Sequence, residues 1–185
     1  MRKNFGAKPN MYPMPVLIIA TYDENGNADA MNAAWGGITG NTEVTMCLSK
    51  SHKTVKNILK KKAFTISMGE KAQMEACDYV GIVSGNEEEH KIEKAGFTLT
   101  RSEFVDAPVI NELALCLECK MKSYNEETEC MVGEIVNVSV DERALTNGKV
   151  DVKKLEPITF DPFHSKYYVL GEEAGNAFKD GQKLK

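Results

Sequence analysis

Apolar residues fall in short runs and alternations rather than in long helical stripes. The run Val16-Leu17-Ile18-Ile19-Ala20 predicts a strand over residues 15–21 that is buried on both faces. The polar stretch Asp23-Glu24-Asn25-Gly26-Asn27 has the composition of a hairpin turn, after which the chain returns through residues 28–35. Residues 44–49 alternate, with Val44, Met46 and Leu48 on one face and Thr45, Cys47 and Ser49 on the other. Val55, Ile58 and Leu59 then take helical spacing, and Lys60, Lys61 and Lys62 stand where cations complement a helix C-terminus. A strand feeding the start of a helix is expected there.

Further along, a strand is predicted over 63–68, a helix over 72–79 and a short exposed helix over 87–95 stopped by Gly96. Residues 113–121 place Leu113, Leu115, Leu117, Cys119 and Met121 on one face and Ala114, Cys116, Glu118 and Lys120 on the other, the pattern of a half-buried strand. Residues 131–140 supply a partner of similar length across the turn Asn125-Glu126-Glu127, and 167–170 read as a last short strand. Strands outnumber helices and hairpins join them. The expected class is β-rich (α+β): an antiparallel sheet or barrel with a few short helices, not a doubly wound parallel sheet, whose Gly-rich phosphate loop is also missing.

Length and composition add bounds. The 185 residues correspond to one domain at roughly 150 residues per domain. With Lys and Arg at 23 against 27 Asp and Glu, the net charge of −4 argues against nucleic acid as the main partner. The most apolar window, residues 13–20, is far short of the roughly 20 residues that a membrane-spanning helix needs, and no signal-peptide pattern opens the sequence, so a cytoplasmic protein is expected. Five scattered cysteines, an odd number, point to free thiols rather than a disulfide framework.

Two segments carry candidate chemistry. Ser49, Lys50, Ser51, His52, Lys53 and Thr54 stand at a helix start, where unpaired backbone N–H groups, hydroxyls and lysines can converge on an anion such as a phosphate. The competing reading is an ordinary N-cap by Ser51 or Thr54. Met31, Asn32, Ala33, Ala34 and Trp35 combine the single Trp of the chain with small residues and a side-chain amide, a combination that suits a flat heteroaromatic ring and equally a core Trp beside a tight turn.

Other constellations are weaker. Cys116 and Cys119 form a lone CxxC whose thiols point to opposite faces of a strand, whereas a closed zinc site needs four convergent ligands. His52, His90 and His164 lack the strained nucleophile turn of a hydrolase. His90 and Lys91 follow an acidic run that reads as a solvated helix face, and Phe163 sits in a Pro-containing turn.

The order of features is more telling than any single one: a Pro-Met-Pro-Val strand start, Asn32-Ala33-Ala34-Trp35, Ser49 through Ile58, Ser84-Gly85, His90-Lys91, Ala107-Pro108-Val109-Ile110 and Tyr167 through Gly171. In this order the chain resembles the flavin reductase-like family with its FMN-binding split barrel, and most closely the flavoredoxin branch, over residues 13–171, with 172–185 as a tail. The resemblance implies one split β-barrel domain over 1–185, a homodimer, and FMN held non-covalently near the subunit interface. By position, Ser49, Lys50, Ser51, His52, Lys53 and Thr54 would hold the phosphate and ribityl chain, and Met31, Asn32, Ala33, Ala34 and Trp35 would flank the isoalloxazine. Lys91 and Phe163, the latter from either subunit, match places near the flavin, and Cys47, sharing a strand face with Ser49, would approach the ring.

The implied activity is that of a flavin-dependent oxidoreductase or electron carrier, reduced by NAD(P)H or by a small redox protein. Hydride and electron chemistry would belong to the flavin, so the residues named are binding and tuning groups and none is assigned as catalytic. Two alternatives stand beside it: a flavin-binding module without turnover, and a metal or thiol protein built on Cys116, Cys119 and Cys130.

Overall fold

The computed structural model describes residues 1–185. In chain order its strands and helices are β1 (Met14–Pro15), β2 (Leu17–Tyr22), β3 (Ala28–Ala33), β4 (Gly36–Gly40), β5 (Glu43–Cys47), α1 (Lys53–Lys61), β6 (Ala63–Met68), α2 (Met74–Ile82) and α3 (Lys91–Lys94). There follow β7 (Leu99–Arg101), β8 (Pro108–Ile110), β9 (Leu115–Asn125), β10 (Cys130–Val140), β11 (Leu145–Thr146), β12 (Lys149–Val150), α4 (Val152–Leu155), β13 (Ile158–Asp161) and β14 (Lys166–Val169).

Seven strands form one antiparallel sheet in the order β3-β2-β6-β9-β10-β5-β4. Its two edge strands, β3 and β4, are consecutive in sequence and separated only by Ala34 and Trp35. Two residues cannot span a flat seven-stranded sheet whose strands lie about 4.8 Å apart, so the sheet curls until its edges approach. This is the antiparallel split barrel expected from the sequence, with four short helices around it. The seam between its edges carries a cleft.

Curling separates two cores. Leu17, Ile19, Met31, Val44, Met46, Phe64, Ile66, Leu117, Cys119 and Met131 pack inside the barrel, plugged by Val55 and Ile58 of α1. On the outer face Ile18, Ala20 and Ala30 pack against Cys77 and Val80 of α2, Ile92 of α3, and Phe97, Ile110 and Leu113. The continuous apolar run of β2 is thereby explained: odd positions face the barrel and even positions face the helices. α2 is reached through a 3-10 turn over Lys71–Gln73, and no helix is long and apolar enough to cross a membrane.

Three expectations are corrected. The helix over 87–95 is reduced to α3, because turns occupy residues 85–87 and 89–90 and Glu88 ties the backbone N–H of His90 at 3.0 Å. The alternation over 44–49 ends as a strand at Cys47, since the next two residues turn toward Glu129. β9 is half-buried only in its later part, where Lys120 is exposed: at its start Cys116 and Glu118 are buried like Leu117 and Cys119. The 97–110 segment lies over that second face, where Ser102 donates a hydrogen bond to Glu118 and Asn137 Nδ2 donates another at 2.7 Å. A carboxylate on the apparently solvent side of a strand was thus a buried, satisfied acceptor.

Candidate functional site

A cleft of about 650 Å³ opens at the barrel seam between the end of β3, the β5–α1 loop, α2 and the 83–86 loop. Met31, Asn32, Ala33, Ala34, Trp35, Cys47, Ser49, Ser51, His52, Lys53, Thr54 and Lys91 line it. Two segments that stood apart in sequence therefore form two walls of one site. Lys50 and Phe163 do not line it. The Lys50 ammonium reaches outward to Glu126 at 3.9 Å, and Phe163 stacks on Tyr12 with ring centroids 5.3 Å apart, leaving Phe160 and Tyr167 to reach the cleft.

The polar wall is built around the N-terminus of α1. His52 occupies the N-cap position with extended backbone and makes no side-chain cap, and no acidic residue stands in the first turn. Ser51 does not cap the helix: its hydroxyl meets that of Ser49 at 3.2 Å. Thr54 Oγ1 instead donates to Asp29 Oδ2 at 2.5 Å. The N-cap reading of these residues therefore fails: the first-turn N–H groups of a nine-residue helix, whose first residues Lys53 and Thr54 line the cleft, meet no side-chain acceptor. At the C-terminal end Lys62 closes the helix in the left-handed region, and its N–H donates to Ile58 O at 2.8 Å.

Beside this terminus the loop is held by one residue. The Glu129 carbonyl accepts from Leu48 N–H at 2.8 Å, and its carboxylate accepts from Ser49 Oγ at 2.8 Å and from Lys50 N–H at 3.0 Å. Those hydrogen bonds hold the Glu129 carboxyl below the usual range.

The floor of the polar end is an ion pair removed from solvent. Lys91 Nζ lies 3.7 Å from Asp29 Oδ1, and Lys91 is only 4% exposed, so it does not belong to a solvated helix face. Burial pushes the ammonium below the usual lysine range, and the Asp29 carboxylate opposes that shift. Gly85 lets the following loop close over this pair, because a Cβ there would stand 2.3 Å from Asp29 Oδ1.

The apolar wall is formed by Met31, Ala33, Ala34, Trp35, Val80 and Phe160. Trp35 is 49% exposed and is a wall rather than a core residue. Asn32 Nδ2 donates to Cys77 O at 3.0 Å and contacts Tyr167 Oη at 3.5 Å, so its donors are engaged and Oδ1 is the atom left to accept. Tyr167 donates in turn to Asp78 Oδ1 at 2.8 Å; burial and that carboxylate push its phenol above the usual range. A Cβ at Gly81 would lie 2.9 Å from the Asn32 Cβ, so this amide is braced by α2 as well.

Sequence reasoning missed Asp29, Asp78, Phe160, Tyr167 and the 80–86 stretch as site residues. The signal for Asp29 was a carboxylate inside a strand with apolar neighbours, and that for Ser84-Gly85-Asn86 was its turn composition. Asp78 carried none. The cysteine-based alternative loses its geometry, since Cys116 and Cys119 lie in the first half of β9 while Cys130 begins β10 beside Asn125 at the far end of β9, and they do not converge.

The arrangement suits an elongated ligand with an anionic end and a flat, largely apolar end bearing polar edge groups. The flavin reductase like domain model matches residues 10–160. The structure is similar to flavoredoxin of Desulfovibrio vulgaris (Miyazaki F), at 36% identity and a TM-score of 0.93 over 98% of this chain and 100% of that one. Flavoredoxin from Methanosarcina acetivorans is 28% identical with a TM-score of 0.87, over 100% of this chain and 98% of that one. Nitrilotriacetate monooxygenase component B from Bacillus cereus shares the fold, at 19% identity and a TM-score of 0.78 over 90% and 89% of the two chains. The chain belongs to the flavin reductase-like domain family, in its flavoredoxin branch, and is a flavin-binding redox protein.

Proposed function

We propose that this protein is an electron-transfer flavoprotein of flavoredoxin type that holds FMN non-covalently in the barrel-seam cleft and is reduced there by NAD(P)H or by a small redox protein. The observation that carries this reading is the uncapped N-terminus of α1, open on the same cleft as Trp35 and Asn32. A monophosphate would accept from the first-turn N–H groups and the Ser51, His52 and Lys53 side chains, beside Ser49, whose hydroxyl proton is held by Glu129. Met31, Ala33, Ala34 and Trp35 would face the ring, and Asn32 Oδ1 would accept from an imide N–H at its pyrimidine edge. Bound there, the flavin supplies the hydride and electron chemistry. The side chains bind it, orient it and exclude water from one face. The buried Lys91–Asp29 pair fixes the position of Thr54, and through it the start of α1.

A homodimer fits the apolar side chains left in solvent. Ile38 on the edge strand β4 and the stacked pair Tyr12 and Phe163 are exposed, and an edge strand is a liability unless covered. A second copy would cover them.

The test is the visible spectrum of the protein as purified, followed by acid release and identification of the chromophore. About one FMN per chain supports the reading; a colourless protein that takes up no added FMN contradicts it. Stopped-flow reduction with NADH, NADPH and a reduced ferredoxin-class protein then separates the donors, and sedimentation velocity reads the oligomeric state.

A further inference from the structure

β5 and β10 pair antiparallel with Cys47 directly opposite Cys130. Backbone bonding defines the kind of pair. Cys47 N–H donates to Trp35 O at 2.8 Å, toward β4, whereas Leu48 N–H donates to Glu129 O at 2.8 Å, toward the β10 side. Successive residues of a strand bond to alternate neighbours, so Cys47 and Cys130 face each other without mutual backbone hydrogen bonds. In such pairs the Cα atoms stand about 4.5 Å apart, inside the roughly 4.4–6.8 Å range that a disulfide spans.

The chemistry of the two positions agrees with the geometry. Directly opposed residues project to the same face, and here it is the face away from the barrel core, since the flanking Met46 and Met131 are the buried ones. Cys47 is exposed on the rim of the cleft, and Cys130 is partly exposed. The other three cysteines are buried, and burial pushes their thiols up, to about 11 for Cys77 and Cys116 and about 12 for Cys119. Those three are structural.

We infer that Cys47 and Cys130 form a reversible dithiol/disulfide site on the rim of the cleft, exchanging two electrons with low-molecular-weight disulfides. One thiolate attacks a sulfur of the external disulfide, giving a mixed disulfide and releasing one small thiol. The second protein thiolate attacks the protein sulfur of that mixed disulfide, forming the Cys47–Cys130 bond and releasing the second small thiol. Two protein thiols are oxidised, one external disulfide is reduced, and the two protein protons end on the released thiols. The pairing rests on strand register.

The holoprotein, fully reduced and then equilibrated in glutathione buffers of rising oxidised fraction, is acid-quenched, alkylated with N-ethylmaleimide and read by intact mass and peptide mapping. The expected species carries three alkylated cysteines and one internal link between the Cys47 and Cys130 peptides, and it reverts in excess reduced glutathione. Cys47→Ser and Cys130→Ser each lose the link and carry one glutathione on the remaining partner. Five alkylated cysteines at the oxidising end would overturn the inference. So would separate glutathione adducts on Cys47 and Cys130 of the unmutated protein, or a link involving any other cysteine.

Discussion

Lys91 on α3 lies 3.7 Å from Asp29 on β3, both nearly removed from solvent, and Asp29 takes its remaining hydrogen bond from Thr54 at the start of α1. One buried ion pair thereby ties a helix, a strand and the polar end of the cleft together. Its removal is expected to be costly from one side only. Lys91→Met leaves an unpaired buried carboxylate and should lower stability by about 3–5 kcal/mol, whereas Lys91→Met combined with Asp29→Asn should recover much of that loss. Urea unfolding of the natural protein and the two variants measures both.

Gly85 should reject a side chain. A methyl group there would stand 2.3 Å from Asp29 Oδ1, and the loop would have to move away from the ion pair. Gly85→Ala is expected to destabilise by about 1–3 kcal/mol and to weaken flavin binding together with stability. Thermal unfolding and a flavin titration, run on the same preparation, check the pairing of the two effects.

Glu129 should matter to the phosphate end alone. Its carboxylate holds Ser49 Oγ and Lys50 N–H, so Glu129→Ala, which keeps the backbone bond to Leu48, is expected to weaken FMN about tenfold while riboflavin, lacking the phosphate, changes little. Glu129→Gln retains an acceptor and should lose less. Equal losses for FMN and riboflavin would remove the residue from phosphate positioning.

Acid sensitivity should run through Asp161. Burial alone would raise its carboxyl, but hydrogen bonds from Tyr12, His164 and the Phe163 N–H outweigh burial and hold it at about 2, against an ordinary 3.8. A carboxyl lowered in the folded state stabilises above its unfolded value and loses that contribution as pH falls through the folded one. The stability difference between the natural protein and Asp161→Asn should therefore be constant above about pH 4 and shrink toward pH 2. Melting temperatures across that window read it directly.

Much of the barrel was legible because its strands are short, apolar and separated by turns: β6 falls on residues 63–68 as expected, and β2, β9 and β10 lie within a few residues of their expected bounds. β4 was not, because Gly36, Gly37 and Gly40 interrupt it with residues that strands disfavour, and it is held by pairing with β5. The helix start at Ser49 to Thr54 was visible, but whether Ser51 or Thr54 caps it was not, since the deciding acceptor, Asp29, lies 25 residues from Thr54 in the chain. The resemblance placed Lys91 in the cleft where charge patterning alone placed it in solvent. Burial of Glu118 and Lys91 is decided by loops that arrive from distant sequence.

Trp35 reports directly on a ring in the cleft, because it is the single tryptophan and forms one of the cleft's walls. Flavin-free protein titrated with FMN should lose most of its tryptophan emission with saturation near one FMN per chain, and riboflavin should need at least about tenfold higher concentration for the same effect. Emission that is unchanged at saturating FMN, or equal affinities for FMN and riboflavin, would contradict a ring against Trp35 and a phosphate on α1.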